Sequence, residues 1–291
     1  MEIGQVIKLI RKNKSITQQA LADAIGMTRP YIARIESGKN SISSDRLTEI
    51  LEYCNVTYNE FFFMKNDYQI SLKMNEFNRV IKMYYADKID EIIQFKDEIK
   101  EKHEQTGDIL FRHLYILCHC MENKLDLNKI EKDYIDEISD YLLSIDEWCY
   151  YELALFNNFL FLFNPSTAFL MTKNVLYRAD KYKELNSDKN ILSFLLFNLL
   201  DLSINHHEYQ YTKMILDTTK RYYASSTDFF EQTLILFYEG TIDIIDNSIS
   251  EGMEKCNKAF TIFQVLGHEN IHKKYKSDLD KLLNKIVPSN V

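Results

Sequence analysis

The chain has 291 residues, 46% of them hydrophobic, with only 7 Gly and 3 Pro, which points to an all-α protein with short connections and length enough for two domains. Five cysteines without a CxxC pair argue against a disulfide framework, and the absence of a signal peptide or an apolar run of about 18 residues predicts a cytoplasmic, reduced protein free of the membrane. The net charge of −8 divides unevenly: residues 1–66 hold nine Lys and Arg against seven Asp and Glu, and the remainder 26 against 36, so an acidic body that keeps off phosphates follows a weakly basic head.

The head reads as five helices, at Ile3–Asn13, Gln18–Ala24, Arg29–Glu36, Ser44–Tyr53 and Tyr58–Met64. Lys8, Arg11, Lys12 and Lys14 gather toward the end of the first, where they either reach phosphates or stay solvated and complement the helix dipole. Thr17 and Thr28 are N-cap residues for the next two helices, and Gly26 occupies the turn between them, where positive φ is useful. Leu21, Ile25, Ile32 and Ile35 recur at helical spacing, so the two helices bury one stripe against each other and leave Arg29, Tyr31 and Arg34 on an exposed face. Ser43-Ser44-Asp45 caps the fourth helix, whose inward stripe is Leu47, Ile50 and Leu51. The aromatic run Phe61-Phe62-Phe63 closes the head as core or inter-domain packing.

The run Thr17-Gln18-Gln19-Ala20-Leu21-Ala22, then Gly26, then Tyr31-Ile32-Ala33-Arg34-Ile35-Glu36-Ser37-Gly38-Lys39 resembles the phage-repressor (XRE-type) helix-turn-helix. That resemblance implies a head that binds double-stranded DNA, with the third helix in the major groove. The DNA-binding set is then Thr17, Gln18, Thr28, Arg29, Tyr31, Arg34 and Lys39. Arg29, Tyr31 and Arg34 would read bases, and Thr17, Gln18 and Lys39 would hold phosphates.

Asn66-Asp67 breaks the pattern and sets the expected boundary, with a DNA-binding domain at 1–66 and a helical repeat domain at 67–291. Helices are predicted at about 70–84, 87–104, 107–121, 128–142, 145–163, 165–186, 188–205, 207–223, 228–246, 249–266 and 268–286. Starts are marked at Asn164-Pro165, Ser187-Asp188, Thr227-Asp228 and Ser248. Short connections make neighbouring helices antiparallel, giving stacked hairpins. Leu155-Phe156-Asn157, Leu196-Phe197-Asn198 and Leu236-Phe237-Tyr238 recur about forty residues apart, which fits a degenerate, right-handed TPR-like array with a concave face.

Asn157, Asn198 and Tyr238 thus hold equivalent positions, and Asn158 adjoins the first. An amide ladder there either hydrogen-bonds the backbone of an extended peptide or ties neighbouring helices together. Arg178 either meets a peptide carboxylate or pairs with Asp180 or Glu184. Two patterns carry no metal chemistry. His268-Glu269-Asn270-Ile271-His272 spells HExxH, but no downstream ligand follows it, and in the cluster His113, Cys118, His119, Cys120 only His113 and Cys120 share a face. With no nucleophile triad, phosphate loop or paired-carboxylate site, no enzyme, metal or cofactor is expected.

Asp146-Glu147-Trp148, then Tyr151-Glu152-Leu153 and Leu155-Phe156-Asn157-Asn158, following an XRE-type head, resemble the Rgg/GadR/MutR regulators of Gram-positive bacteria. The resemblance covers nearly the whole chain. It implies a homodimeric, quorum-sensing transcription factor whose repeat domain holds the dimer contacts and a pocket for a short peptide, although some members respond to other signals; the aromatic richness around Asn157, Asn198 and Tyr238 suits a largely apolar one. The apolar face of Ile262, Phe263, Val265 and Leu266 is the candidate dimer contact. The rival reading is a protein-interaction scaffold whose repeat domain binds a protein partner and whose head is incidental or tethers it to DNA. Co-purification of a large partner would favour the scaffold, and a salt-dependent shift of promoter DNA the regulator.

Overall fold

The computed structural model describes residues 1–69, 72–181, 189–224 and 228–286, with side chains for all of these except 72–75, 174, 178–181, 189 and 190. Every regular element among them is helical. Two compact units divide the chain, Met1–Leu114 and Tyr115–Val291. The expected boundary at Asn66-Asp67 falls inside the first unit.

The first unit opens with α1 (Ile3–Asn13), α2 (Gln18–Ala24), α3 (Arg29–Glu36), α4 (Ser44–Tyr53) and α5 (Tyr58–Lys65). Their ends are chemically marked. The Thr17 hydroxyl accepts from the Ala20 amide at 3.0 Å, and Ser43 does the same for Arg46 at 3.3 Å. Thr57 and Glu60 form a reciprocal capping box at 3.2 and 2.7 Å. Gly26 adopts φ +62°, which lets α2 end and α3 turn away without a Cβ penalty. The core runs through all five helices: Val6, Ile7 and Ile10 from α1, Leu21 and Ala22 from α2, Ile32 and Ile35 from α3, Leu47, Ile50 and Leu51 from α4, and Phe61 from α5. Phe61 is fully buried, but Phe62 and Phe63 are each 43% exposed, so only the first of the three aromatics is head core. The unit continues through α6 (Leu72–Tyr85) and α7 (Ile89–Thr106) into the start of α8 (Ile109–Glu122).

After α8 the second unit contains α9 (Lys132–Ser144), α10 (Tyr150–Asn158), α11 (Pro165–Lys181), α12 (Lys189–Asn205), α13 (Tyr209–Tyr222), α14 (Phe229–Ile245), α15 (Ile249–Val265) and α16 (Glu269–Ile286). One expected helix, 145–163, is divided. Residues 146–149 are not helical: the Trp148 indole N–H donates to the Leu142 carbonyl at 3.0 Å, folding this segment back on α9. The chain then restarts at Cys149, whose amide donates to Glu152 at 2.6 Å, and a 3₁₀ turn at Leu160–Leu162 leads to Pro165. The ends expected at 70, 186 and 188, and the cap residues Ser187 and Thr227, lie outside the described residues.

The repeat phase appears in the packing. Phe156, Phe197 and Phe237 are all buried, one in each of α10, α12 and α14, and these three helices lie side by side. α14 and α15 approach most closely. A Cβ on Gly240 would sit 2.6 Å from the Gly252 carbonyl oxygen, and one on Gly252 would sit 2.5 Å from that of Gly240. The two backbones therefore touch at a seam that admits no side chain.

Candidate functional sites

In the head, α3 begins at Thr28, which has extended backbone angles but makes no side-chain capping bond, and its exposed hydroxyl has no hydrogen-bond partner among the described residues. Pro30 follows in the first turn, where its missing N–H costs nothing. Arg29, Arg34 and Lys39 are exposed, and none makes an ion pair or side-chain hydrogen bond among the described residues. Three unpaired cations thus lie along or just beyond one short helix. Tyr31 departs from expectation: it is half-buried against the head core, so it shapes the base of α3 more than it extends from it.

A second group braces this helix. The Arg11 guanidinium donates in parallel to Glu36, Nε to Oε1 at 2.5 Å and Nη2 to Oε2 at 2.9 Å, and its Nη1 donates to the Ile16 carbonyl at 2.8 Å. Both side chains are almost fully buried. Gln18 Nε2 adds a bond to Glu36 Oε2 at 2.9 Å. Burial alone would push the Glu36 carboxyl up, but the bonds from Arg11 and Gln18 and the charges of Arg11 and Lys8 outweigh it, leaving its pKa below the usual carboxylate range. This network corrects the reading of Arg11 as a solvated or phosphate-facing cation: it is a buried tie between α1 and the C-terminal end of α3. Lys12, Thr17, Gln19 and Arg29 line an open concavity beside it. A capping bond engages the Thr17 hydroxyl, and one amide N–H of Gln18 is committed to Glu36.

In the second unit, two of the aligned repeat positions meet. Asn198 on α12 donates through Nδ2 to Oδ1 of Asn157 on α10 at 3.0 Å, in an exposed setting. The bond leaves the Asn157 NH₂ and the Asn198 carbonyl without a protein partner among the described residues, an exposed donor and acceptor in series. Phe194, one helical turn before Asn198, is 57% exposed, and Asn158 is half-buried at the end of α10. Tyr238 does not join the pair. It is fully buried, stacks on Phe197 with centroids 5.9 Å apart, and donates its hydroxyl to Asp201 at 2.5 Å. An aromatic ring at the third repeat position fills the inter-helix core, where an amide would remain outside. Arg178 lies outside the residues whose side chains are described.

Beside Tyr238, Lys274 of α16 donates to the other oxygen of Asp201 at 2.8 Å and lies over the Tyr275 ring. Burial opposes the Lys274 charge, but the Asp201 carboxylate more than restores it, so the lysine is held above its usual pKa. No sequence signal pointed to this tie, because its members lie 73 residues apart. Among the described residues no group of three or more His, Cys, Asp and Glu side chains is arranged to hold a metal ion, and His272 of the HExxH string packs edge-on against Phe260.

Comparison with known families decides the assignment. A helix-turn-helix model matches residues 7–61, and the C-terminal domain of the HTH-type transcriptional regulator Rgg matches residues 93–277. The chain belongs to the Rgg family. It is therefore a transcriptional regulator and not an enzyme. The Rgg fold extends over the chain: a Listeria monocytogenes EGD-e protein described as a transcriptional regulator superposes with a TM-score of 0.85, at 23% identity and 97% coverage of both chains. The SHP pheromone receptor Rgg2 of Streptococcus dysgalactiae gives 0.78, at 23% identity, covering 96% of this chain and 99% of that one. The PrgX/cCF10 complex gives 0.69, at 15% identity, covering 97% and 92%. Among curated proteins, the antitoxin PezA of Streptococcus pneumoniae is 27% identical over 101 residues, which span 33% of this chain and 61% of that relative. No helix among the described residues of this Rgg-family chain is long and apolar enough to cross a membrane.

Proposed function

We propose that this Rgg-family regulator binds an inverted-repeat operator as a homodimer and is switched by a short, largely apolar peptide held along α10 and α12. DNA binding is the work of residues 1–66, with Arg29 and Arg34 on base edges and Thr17, Gln18, Thr28 and Lys39 on phosphates. Sensing and dimerisation belong to residues 67–291. The head supports the first part: Arg29, Arg34 and Lys39, exposed and without an ion pair among the described residues, lie on and just beyond α3, while the rest of the chain is acidic.

The single observation that carries the peptide reading is the Asn157–Asn198 pair. Two helices one repeat apart bring their amides together in the open, and the free donor and acceptor at its ends match the N–H and C=O of an extended peptide backbone. Exposed Phe194 beside the pair offers an apolar contact with few rotamers to lose. Among structural relatives, Rgg2 is named a pheromone receptor and PrgX was crystallised with cCF10. A ligand so placed acts only by binding one dimer arrangement better than another, and a full reversal of populations needs about 5.5 kcal/mol of differential affinity.

The test is genome-wide DNA occupancy with and without spent culture medium, in wild type and in an Asn157→Ala/Asn198→Ala double mutant. The mutant is expected to keep basal occupancy and helical content while losing the response to medium. A normal response in the mutant would remove the pair from the sensing site, and an unfolded mutant would make it a helix–helix tie.

A further inference from the structure

The turn between α2 and α3 is held by a residue outside both helices. Ile25 is the C-cap of α2, and no backbone N–H among the described residues reaches its carbonyl. That oxygen accepts instead from Nη1 of Arg46 on α4, at 3.1 Å in a partly buried setting. The same nitrogen lies 2.5 Å from the Glu49 carboxylate one turn further along α4, which aims the guanidinium. The carbonyls at a helix C-terminus need donors, and a cation there also opposes the dipole. Directly after Ile25 comes Gly26 at φ +62°, then Met27 and Thr28, where α3 begins. A shift at this carbonyl therefore changes the angle at which α3 leaves α2.

We propose that Arg46 is a positioning residue for DNA reading: from α4 it fixes the α2–α3 turn and thereby the approach of Arg29 and Arg34 to the base edges. The inference rests on α3 being the reading helix. Misplacement of a donor by a fraction of an ångström weakens a bidentate base contact, but a phosphate contact made through charge tolerates it. Arg46 thus acts on discrimination more than on general affinity. Its side chain is 35% exposed, so a direct phosphate contact is the competing role, and the two separate by salt dependence.

The experiment uses the full chain, a duplex selected from a random pool by the wild-type protein, and a scrambled duplex of the same length. Affinity for both is measured across a salt series, alongside thermal unfolding. Arg46→Ala is expected to weaken binding to the selected duplex about tenfold while leaving the scrambled duplex and the salt slope unchanged, and Arg46→Lys, which keeps one donor for Ile25, restores most of the ratio. Glu49→Gln, on the exposed side of the pair, is expected to lower the ratio about threefold at unchanged melting temperature, and it carries the test if Arg46→Ala unfolds the head. A salt slope that drops by about one on both duplexes would make Arg46 a phosphate ligand and overturn the proposal. So would an unchanged ratio in both variants. Arg34→Ala, run in parallel, separates the two layers: if it leaves the ratio intact, α3 is not the reader, and if it alone lowers the ratio, only the role of Arg46 fails.

Discussion

Arg34 and Lys39 are close in sequence and both exposed, yet their surroundings assign them different work. Arg34 lies within α3, whereas Lys39 follows Gly38 in the loop beyond it. Arg34→Ala is expected to cost about 1–3 kcal/mol of specific binding and to leave weak binding to random DNA nearly intact. Lys39→Ala should weaken both alike and lower the salt slope by about one, as read from affinities between low and physiological salt. Glu36 carries a pH dependence. Its pKa is depressed in the folded head, so its stabilisation is complete above the ordinary carboxylate value of about 4.5 and fades as the pH falls through the lower, folded value. Glu36→Gln should remove that part of the acid transition and, by leaving Arg11 buried without a counter-charge, destabilise the head by about 3–5 kcal/mol in denaturant unfolding at pH 7.

Among the helices, what could be read from sequence followed how local each signal is. The head helices appear where caps and stripes put them, because Thr17, Gly26, Ser43 and Thr57 act within four residues of themselves. The length of the break before α10 was not legible: 145–163 is apolar enough for one helix, and the non-helical run to Cys149 depends on a Trp148 bond to α9. Repeat spacing brought Asn157 and Asn198 together correctly, but it placed Tyr238 with them by position alone, and ring size sent it into the core. Buried charge escaped pattern reading altogether, so Arg11 looked like one more basic residue at a helix end. Gly240 and Gly252 went unread too, because a glycine inside a helix pattern does not say which backbone approaches it. Gly252→Ala is accordingly expected to cost about 1–3 kcal/mol by overpacking the seam, measured by thermal unfolding of the full chain, with helical content retained at low temperature.

At the level of the whole molecule, a head with nine basic and seven acidic residues has little non-specific hold on DNA, so two heads acting together are the natural source of specificity. The candidate contact is narrower than the apolar run suggests. Phe263 is buried, whereas Ile262, Val265 and Leu266 remain 37%, 80% and 57% exposed at the end of α15. Replacing Val265 and Leu266 together with Asp should leave the fold intact and yield a monomer by light scattering at micromolar concentration. The same variant should lose affinity for a two-half-site duplex far more than for a single half-site. A wild-type chain that is already monomeric and still specific for one half-site would remove the dimer from the account.

The glycine seam has a consequence in time as well as in stability. Amide protons exchange with solvent only when their hydrogen bonds open, and openings follow local packing. With backbones in contact along α14 and α15, neither helix can fray without separating from the other. α10, by contrast, is only nine residues long and ends in a 3₁₀ turn. Deuterium should therefore enter α10 well before it enters α14 and α15, so that the amide pair bridging α10 and α12 has one end in a part of the unit that opens often.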